Sequence, residues 1–158
     1  MTDLPIHTTF RHAALVCVVA LTLAACAPSG APLAPGLTAR MDAPGANLDR
    51  GQAIGIVNAY RSTAGVAAVA GDATLDAMAQ GLAAQYAATG TPPAVPTGTV
   101  AMRLSAGYVT FAETFSGWRN SAADAAVLAE RNASRGGVGV AYNASSNYGV
   151  YWVLVLDD

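Results

Sequence analysis

The clearest pattern in the chain is a helical one. Leu75, Met78, Ala79, Leu82, Ala83 and Tyr86 recur at i, i+3, i+4, i+7, i+8 and i+11, which places a single apolar stripe on a helix. Asp72 precedes it in the N-cap position and Gly90 follows it as a stop. A second pattern lies at the far end. Val138, Val140 and Tyr142 alternate with small residues, and Val150 to Leu156 is apolar at every position. Alternation predicts a strand with one buried face; an unbroken run predicts a strand covered on both faces. With Asn143-Ala-Ser-Ser-Asn-Tyr-Gly between them, the two runs form an antiparallel hairpin, and the helices upstream must supply its cover.

Weaker signals fill the middle. Asn47 or Asp49 caps a helix to about Thr63, with Ile54 and Val57 inward, Tyr60 as a further inward candidate, and Gly65 beyond its end. Thr91 to Gly98 is a Pro-rich loop, and Val100 to Leu104 a short strand candidate. Thr110 and Glu113 make a T-x-x-E capping box that opens a helix through Trp118. Ser121 and Asp124 make a weaker box, opening a helix to about Arg131. No internal repeat is visible. Helices, a mixed middle and a terminal hairpin predict an α/β layered domain with helices on both sides of a small sheet.

The N-terminus reads as a targeting segment. Arg11 and His12 end a polar start, and Ala13 to Ala24 is an apolar run too short to span a bilayer. It closes in Leu23-Ala24-Ala25-Cys26, which resembles a bacterial lipobox. That resemblance implies a lipoprotein signal peptide over 1–25, lipid on Cys26 and attachment to a membrane. In a Gram-negative host it implies an outer-membrane lipoprotein facing the periplasm. Cys17 falls in the removed peptide, which leaves no second Cys for a disulfide. Residues 26–47 carry Pro28, Pro32, Pro35 and Pro44 without periodicity and are expected to be a semi-extended tether, reaching up to roughly 60 Å. The domain proper is expected over 48–158.

Composition narrows the chemistry. Apolar residues make up 53% of the chain and charged residues 11%, so the domain is not disordered. Formal net charge is −2 with no basic cluster, which argues against nucleic acid as a partner. All basic residues are Arg, so a Lys nucleophile is excluded. The only two histidines are His7 and His12. A His-containing metal site, or a His general base for a Ser nucleophile, is therefore excluded after signal removal.

Several segments together resemble the CAP superfamily (cysteine-rich secretory proteins, antigen 5, pathogenesis-related 1). They are Val57-Asn58-Ala59-Tyr60-Arg61-Ser62-Thr63-Ala64-Gly65, Asp72-Ala73-Thr74-Leu75, Trp118-Arg119-Asn120-Ser121, Gly137-Val138-Gly139-Val140-Ala141 and Tyr151-Trp152-Val153. The resemblance spans residues 48–158. It implies an α-β-α sandwich with a small, mainly antiparallel sheet flanked by helices. It also implies a central cleft with two His and one or two Glu that can bind a divalent metal. This sequence departs from that set. The first His region is the shortened loop Thr91 to Gly98, Met102 stands where the family has Glu, with Arg103 beside it, and Asp124 stands at the second His.

The expectation is a metal-free, cofactor-free, non-catalytic binding or scaffolding module of the envelope, with degenerate cleft positions Met102, Arg103 and Asp124 and a wall or envelope protein as partner. Two other readings stay open. One is a carrier of a lipid or sterol-type molecule in an apolar groove. The other is a glycan hydrolase working with carboxylates alone, drawn from Glu113, Asp124 and Glu130. Glu113 and Asp124 already have sufficient roles as capping residues. Arg103 is a candidate anion ligand or salt-bridge partner. Trp118, Trp152, Tyr108 and Tyr151 are candidates for stacking on a sugar or lipid, with Trp118 and Trp152 expected in the core.

Overall fold

The computed structural model describes residues 32–158, so the expected signal segment and Cys26 lie outside the described residues. Residues 33–158 form one compact unit. In chain order the elements are α1 (Pro35–Thr38), α2 (Arg50–Thr63), β1 (Ala70–Gly71), α3 (Ala73–Thr89), β2 (Ala101–Ala106), α4 (Phe111–Asn120), α5 (Ala122–Leu128), β3 (Arg135–Tyr142) and β4 (Val150–Asp157).

The caps read from the sequence are in place. Asp49 accepts from the Gln52 backbone N–H at 2.9 Å, and Asp72 accepts from Thr74 and Leu75 at 2.8 and 3.0 Å. Gly90 ends α3 with φ 67, a left-handed turn that suits a residue without Cβ. Thr110 and Glu113 form the full reciprocal box.

The sheet runs β1-β3-β4-β2, with β1 parallel to β3 and the other pairs antiparallel. β4 is central and covered on both faces, as its unbroken apolar run required. On one face Val150, Trp152, Leu154 and Leu156 join Val138 of β3 against Ile54 and Val57 of α2, Phe111, Phe115 and Trp118 of α4, and Leu128 of α5. On the other, Val153 and Val155 join Met102 of β2 against Leu75, Ala79 and Ala83 of α3. Each large side chain buried this way contributes about 1.5–3 kcal/mol. The result is the expected α-β-α sandwich.

The α3 layer lies unusually close to the sheet. A Cβ built on Gly137 would stand 2.2 Å from the backbone carbon of Leu75, and one on Gly139 2.3 Å from that of Ala79. The alternating Gly-Val-Gly-Val thus has two separate causes. Its valines face the α2/α4 core, and its glycines admit the backbone of α3.

Arg61, near the end of α2, is fully buried. Its guanidinium donates to four backbone carbonyls: Ala67 (2.7 Å), Leu128 (2.9 Å), Glu130 (3.0 Å) and Ala133 (3.3 Å). Burial lowers its pKa. No carboxylate lies among its hydrogen-bond partners; four carbonyl dipoles, with the Glu130 charge nearby, offset the lost hydration.

Three expectations need correction. The tether does not extend to residue 47, because residues 33–48 pack on the domain. Leu37, Met41 and Leu48 are buried in the α2/α4 core. Pro35 starts α1, Gly36 N–H donates to Gln52 Oε1 at 2.8 Å, and Met41 N–H donates to Val109 O at 3.0 Å. Three apolar anchors outweigh the loop-like composition. The Ser121 box does not form either: the Ser121 side chain makes no cap bond and α5 stops at Leu128, short of Arg131. Asp124 is drawn to Arg103 instead. The strand expected over 100–104 runs from Ala101 to Ala106.

Candidate functional site

β2, α4 and α5 position the residues that the sequence singled out. Trp118 of α4 donates its indole N–H to the Leu104 carbonyl of β2 at 3.0 Å, which locks that helix to the strand. α5 follows after a single residue and brings Asp124, in its first turn, over the same strand. Arg103 Nε and Asp124 Oδ1 stand 2.9 Å apart, with side chains 35% and 17% exposed. Arg103 Nε is buried, and its N–H is not aligned on that oxygen, so the pair is an ion contact without a directed hydrogen bond.

Met102 does not share this place. It pairs with Val155 and lies under α3, while Arg103 pairs with Leu154 on the α5 side. Consecutive strand residues point to opposite faces. The structure therefore brings Arg103 and Asp124 together and separates Met102 from both. That separation was available from the sequence once 101–106 was taken as a strand.

The other carboxylates are engaged. Glu113 Oε2 accepts from the backbone N–H of Val109 (3.1 Å) and Thr110 (3.0 Å) and from the Thr110 hydroxyl (3.0 Å). These donors hold its carboxyl below the usual carboxylate range. Glu130 Oε1 accepts from the Asn132 N–H at 3.0 Å. Among the described residues, no three His, Cys, Asp or Glu side chains form a group able to hold a metal ion. Nor, among them, is any helix long and apolar enough to cross a membrane. Of the four aromatics considered for stacking, Trp118, Trp152 and Tyr151 are core residues, and Trp152 donates its indole N–H to Tyr108 O at 2.8 Å. Tyr108 alone of the four is exposed.

A further polar cluster was not visible in the sequence. β1 is two residues long, so the outer edge of β3 is unpaired by any strand beyond Gly136. Side chains take over there. Val138 N–H donates to Asp76 Oδ1 at 2.9 Å, Arg50 Nε donates to Val138 O at 3.0 Å, and Gln80 Nε2 donates to Val140 O at 2.7 Å. Arg50 also donates to Gln80 Oε1 at 3.0 Å. The cluster caps a strand edge that otherwise invites pairing with another chain. A groove of about 520 Å³ between α2 and the start of α3 runs beside it, lined in part by Ile54, Asn58 and Val69.

Comparison with known proteins agrees with this architecture. No curated protein matches the chain. Among solved structures, that of MpPR-1i matches with TM-score 0.57 at 17% identity, covering 68% of this chain and 88% of that one. An extracellular protein containing an SCP domain from Bacillus anthracis str. Ames matches with TM-score 0.57 at 18% identity, over 69% of this chain and 40% of that one. A cysteine-rich secretory protein from Staphylococcus aureus matches with TM-score 0.53 at 13% identity, over 67% of this chain and 37% of that one. At these identities the likeness is one of fold. The model of the CAP family, the cysteine-rich secretory protein family, matches residues 54–156. That match takes in all four strands but for the last residue of β4, the glycines under α3 and both elements that carry Arg103 and Asp124, and the chain belongs to the cysteine-rich secretory protein (CAP) family.

Proposed function

We propose that the protein is an envelope-anchored, non-catalytic member of the family, a binding or scaffolding module that works without a metal ion. The observation that carries this reading is the Arg103–Asp124 pair. A divalent ion needs several oxygen or nitrogen donors converging on one point. Here the one carboxylate of the site faces a guanidinium at 2.9 Å, and Met102 lies on the other side of the sheet. The histidines are at positions 7 and 12, in the segment read as a signal peptide. This donor set does not fit a metal.

Anchoring follows from Leu23-Ala24-Ala25-Cys26. Lipid on Cys26 holds the module at a membrane, the outer membrane facing the periplasm in a Gram-negative host, with a wall or envelope protein as its partner. Three measurements test the reading together. Labelled fatty acid is expected on the wild-type protein and absent from Cys26→Ala, which moves to the soluble fraction. Zinc titrated into the purified protein is expected to give no binding heat. Peptidoglycan is expected to remain uncleaved. Peptidoglycan cleavage that disappears in Asp124→Asn at unchanged melting temperature would sink the non-catalytic reading, and an unlabelled protein would sink the anchor.

A further inference from the structure

Where α3 ends and β3 turns into β4, the chain leaves a cavity of about 230 Å³. It is lined by Thr89, Asn143, Ser145, Ser146, Asn147 and Tyr148 with Tyr151 and small residues of α3 beside them, and no charged side chain takes part. We propose that this pocket binds a neutral, polyhydroxylated ligand, a single saccharide unit of a glycan stacked on Tyr148. The proposal rests on the reading of the chain as a binding module and names its ligand class.

The loop is held in shape by its own polar groups. Asn143 Nδ2 donates to the Ala87 carbonyl at the end of α3 at 2.7 Å, and Asn143 Oδ1 accepts from Ser145 N–H at 3.0 Å. The Ser146 hydroxyl donates to Asn143 O at 2.7 Å and accepts from Gly149 N–H at 3.1 Å. Gly149 closes the turn with φ 73, where a side chain would strain the backbone. Ordering cost is therefore met before any ligand arrives.

What the loop presents is left idle. Ser145 and Asn147 are exposed, and neither side chain bonds to another described residue. Tyr148 is 57% exposed, the most exposed large apolar side chain among the described residues. Its ring is nonetheless fixed, edge-on to Tyr151 at 6.2 Å, and Tyr151 is in turn edge-on to Tyr86 of α3 at 4.7 Å. A fixed aromatic face offers an apolar surface to the C–H face of a pyranose ring. The hydroxyl of Ser145 and the amide of Asn147 can both donate and accept, as ring hydroxyls require. The absence of charge disfavours an anion or a cation, and the volume suits one ring rather than a larger ligand.

The test is an amide chemical-shift titration of the purified, isotope-labelled protein with cellotriose, maltotriose and tri-N-acetylchitotriose. Saturable shifts confined to residues 87–90 and 143–149 are expected with at least one of them. Tyr148→Ala should weaken that binding about tenfold, and Tyr148→Phe should keep it, since the stacking face remains. Both variants should melt with the wild type, because the ring is largely outside the core. No saturable shift at this end with any of the three sugars, or binding that Tyr148→Ala leaves unchanged, overturns the proposal. Neither result touches lipidation, zinc or hydrolysis, so the function proposed above stands or falls separately.

Discussion

Gly139 of β3 has no side chain because Ala79 of α3 leaves no space for one. A Cβ at Gly139 would lie 2.3 Å from the Ala79 carbonyl carbon, a backbone atom that cannot rotate away. Gly139→Ala is expected to push helix and sheet apart and to cost about 3 kcal/mol in urea unfolding. Gly81, on the same helix, is exposed and has open space around its Cβ direction. Gly81→Ala should therefore stabilise by about 0.5–1 kcal/mol. Equal effects at the two glycines would contradict the close approach of α3.

Arg61 ties three stretches of chain to one side chain. Its carbonyl partners lie in the turn after α2, at the end of α5, and just before β3. Arg61→Met should cost about 3 kcal/mol or more, because several buried carbonyls lose their donor at once. Arg61→Lys should recover little, since an ammonium cannot fork between separate acceptors. Hydrogen exchange should accelerate over residues 128–134 before the rest of the domain. Uniform acceleration would mean that Arg61 acts only through global stability.

Thr110 and Ser121 look alike in sequence, each followed three residues later by an acid. The structure closes the box only at Thr110. Thr110→Ala is expected to cost about 1 kcal/mol. Ser121→Ala should change stability by less than about 0.5 kcal/mol. Thermal melts of the two variants side by side separate a working cap from a sequence match.

Acid should unfold the domain through its caps. Backbone donors from Leu75 and then the Arg135 guanidinium hold the Asp72 carboxyl below its ordinary value, and Thr110 does the same for Glu113. A carboxyl depressed in the fold contributes stability above its unfolded pKa and loses it as pH falls through the folded one. Residues 32–158 contain no His. The melting temperature should therefore be flat from about pH 5.5 to 8 and fall below about pH 4. The Asp72→Asn, Glu113→Gln double variant should show a shallower acid limb. A transition near pH 6.5 would require a group that this picture lacks.

The layers were legible because burial imposes periods on the sequence. The stripe from Leu75 to Tyr86 fixed one face of α3, and the unbroken Val150–Leu156 run required cover on both sides of β4. Contacts across layers left weaker traces. Gly137 and Gly139 read as strand, but the helix backbone above them is a three-dimensional fact. Asp124 fitted a local cap, yet a guanidinium from a strand about twenty positions earlier in the chain competes better for it. Residues 33–48 lack any period, so their anchors, Leu37, Met41 and Leu48, were indistinguishable from scattered apolar residues in a linker. The idle groups of the 143–149 loop gave no signal at all, since what marks them is the absence of internal partners.

β4 lies between β3 and β2, and it follows both in the chain. Those two strands never meet each other; β2 is paired by β4 alone, and β3 by β4 and the two residues of β1. During synthesis, a nascent chain that has emerged only as far as Gly149 holds helices, the short β1–β3 pairing and β2, with no means of joining β2 to β3. The entropy of closing residues 101–106 onto the sheet is met only at the end. The order of translation thus keeps the sandwich open until Val150 to Asp157 leaves the ribosome, and a polypeptide arrested before that point should show helical but no sheet signal in circular dichroism.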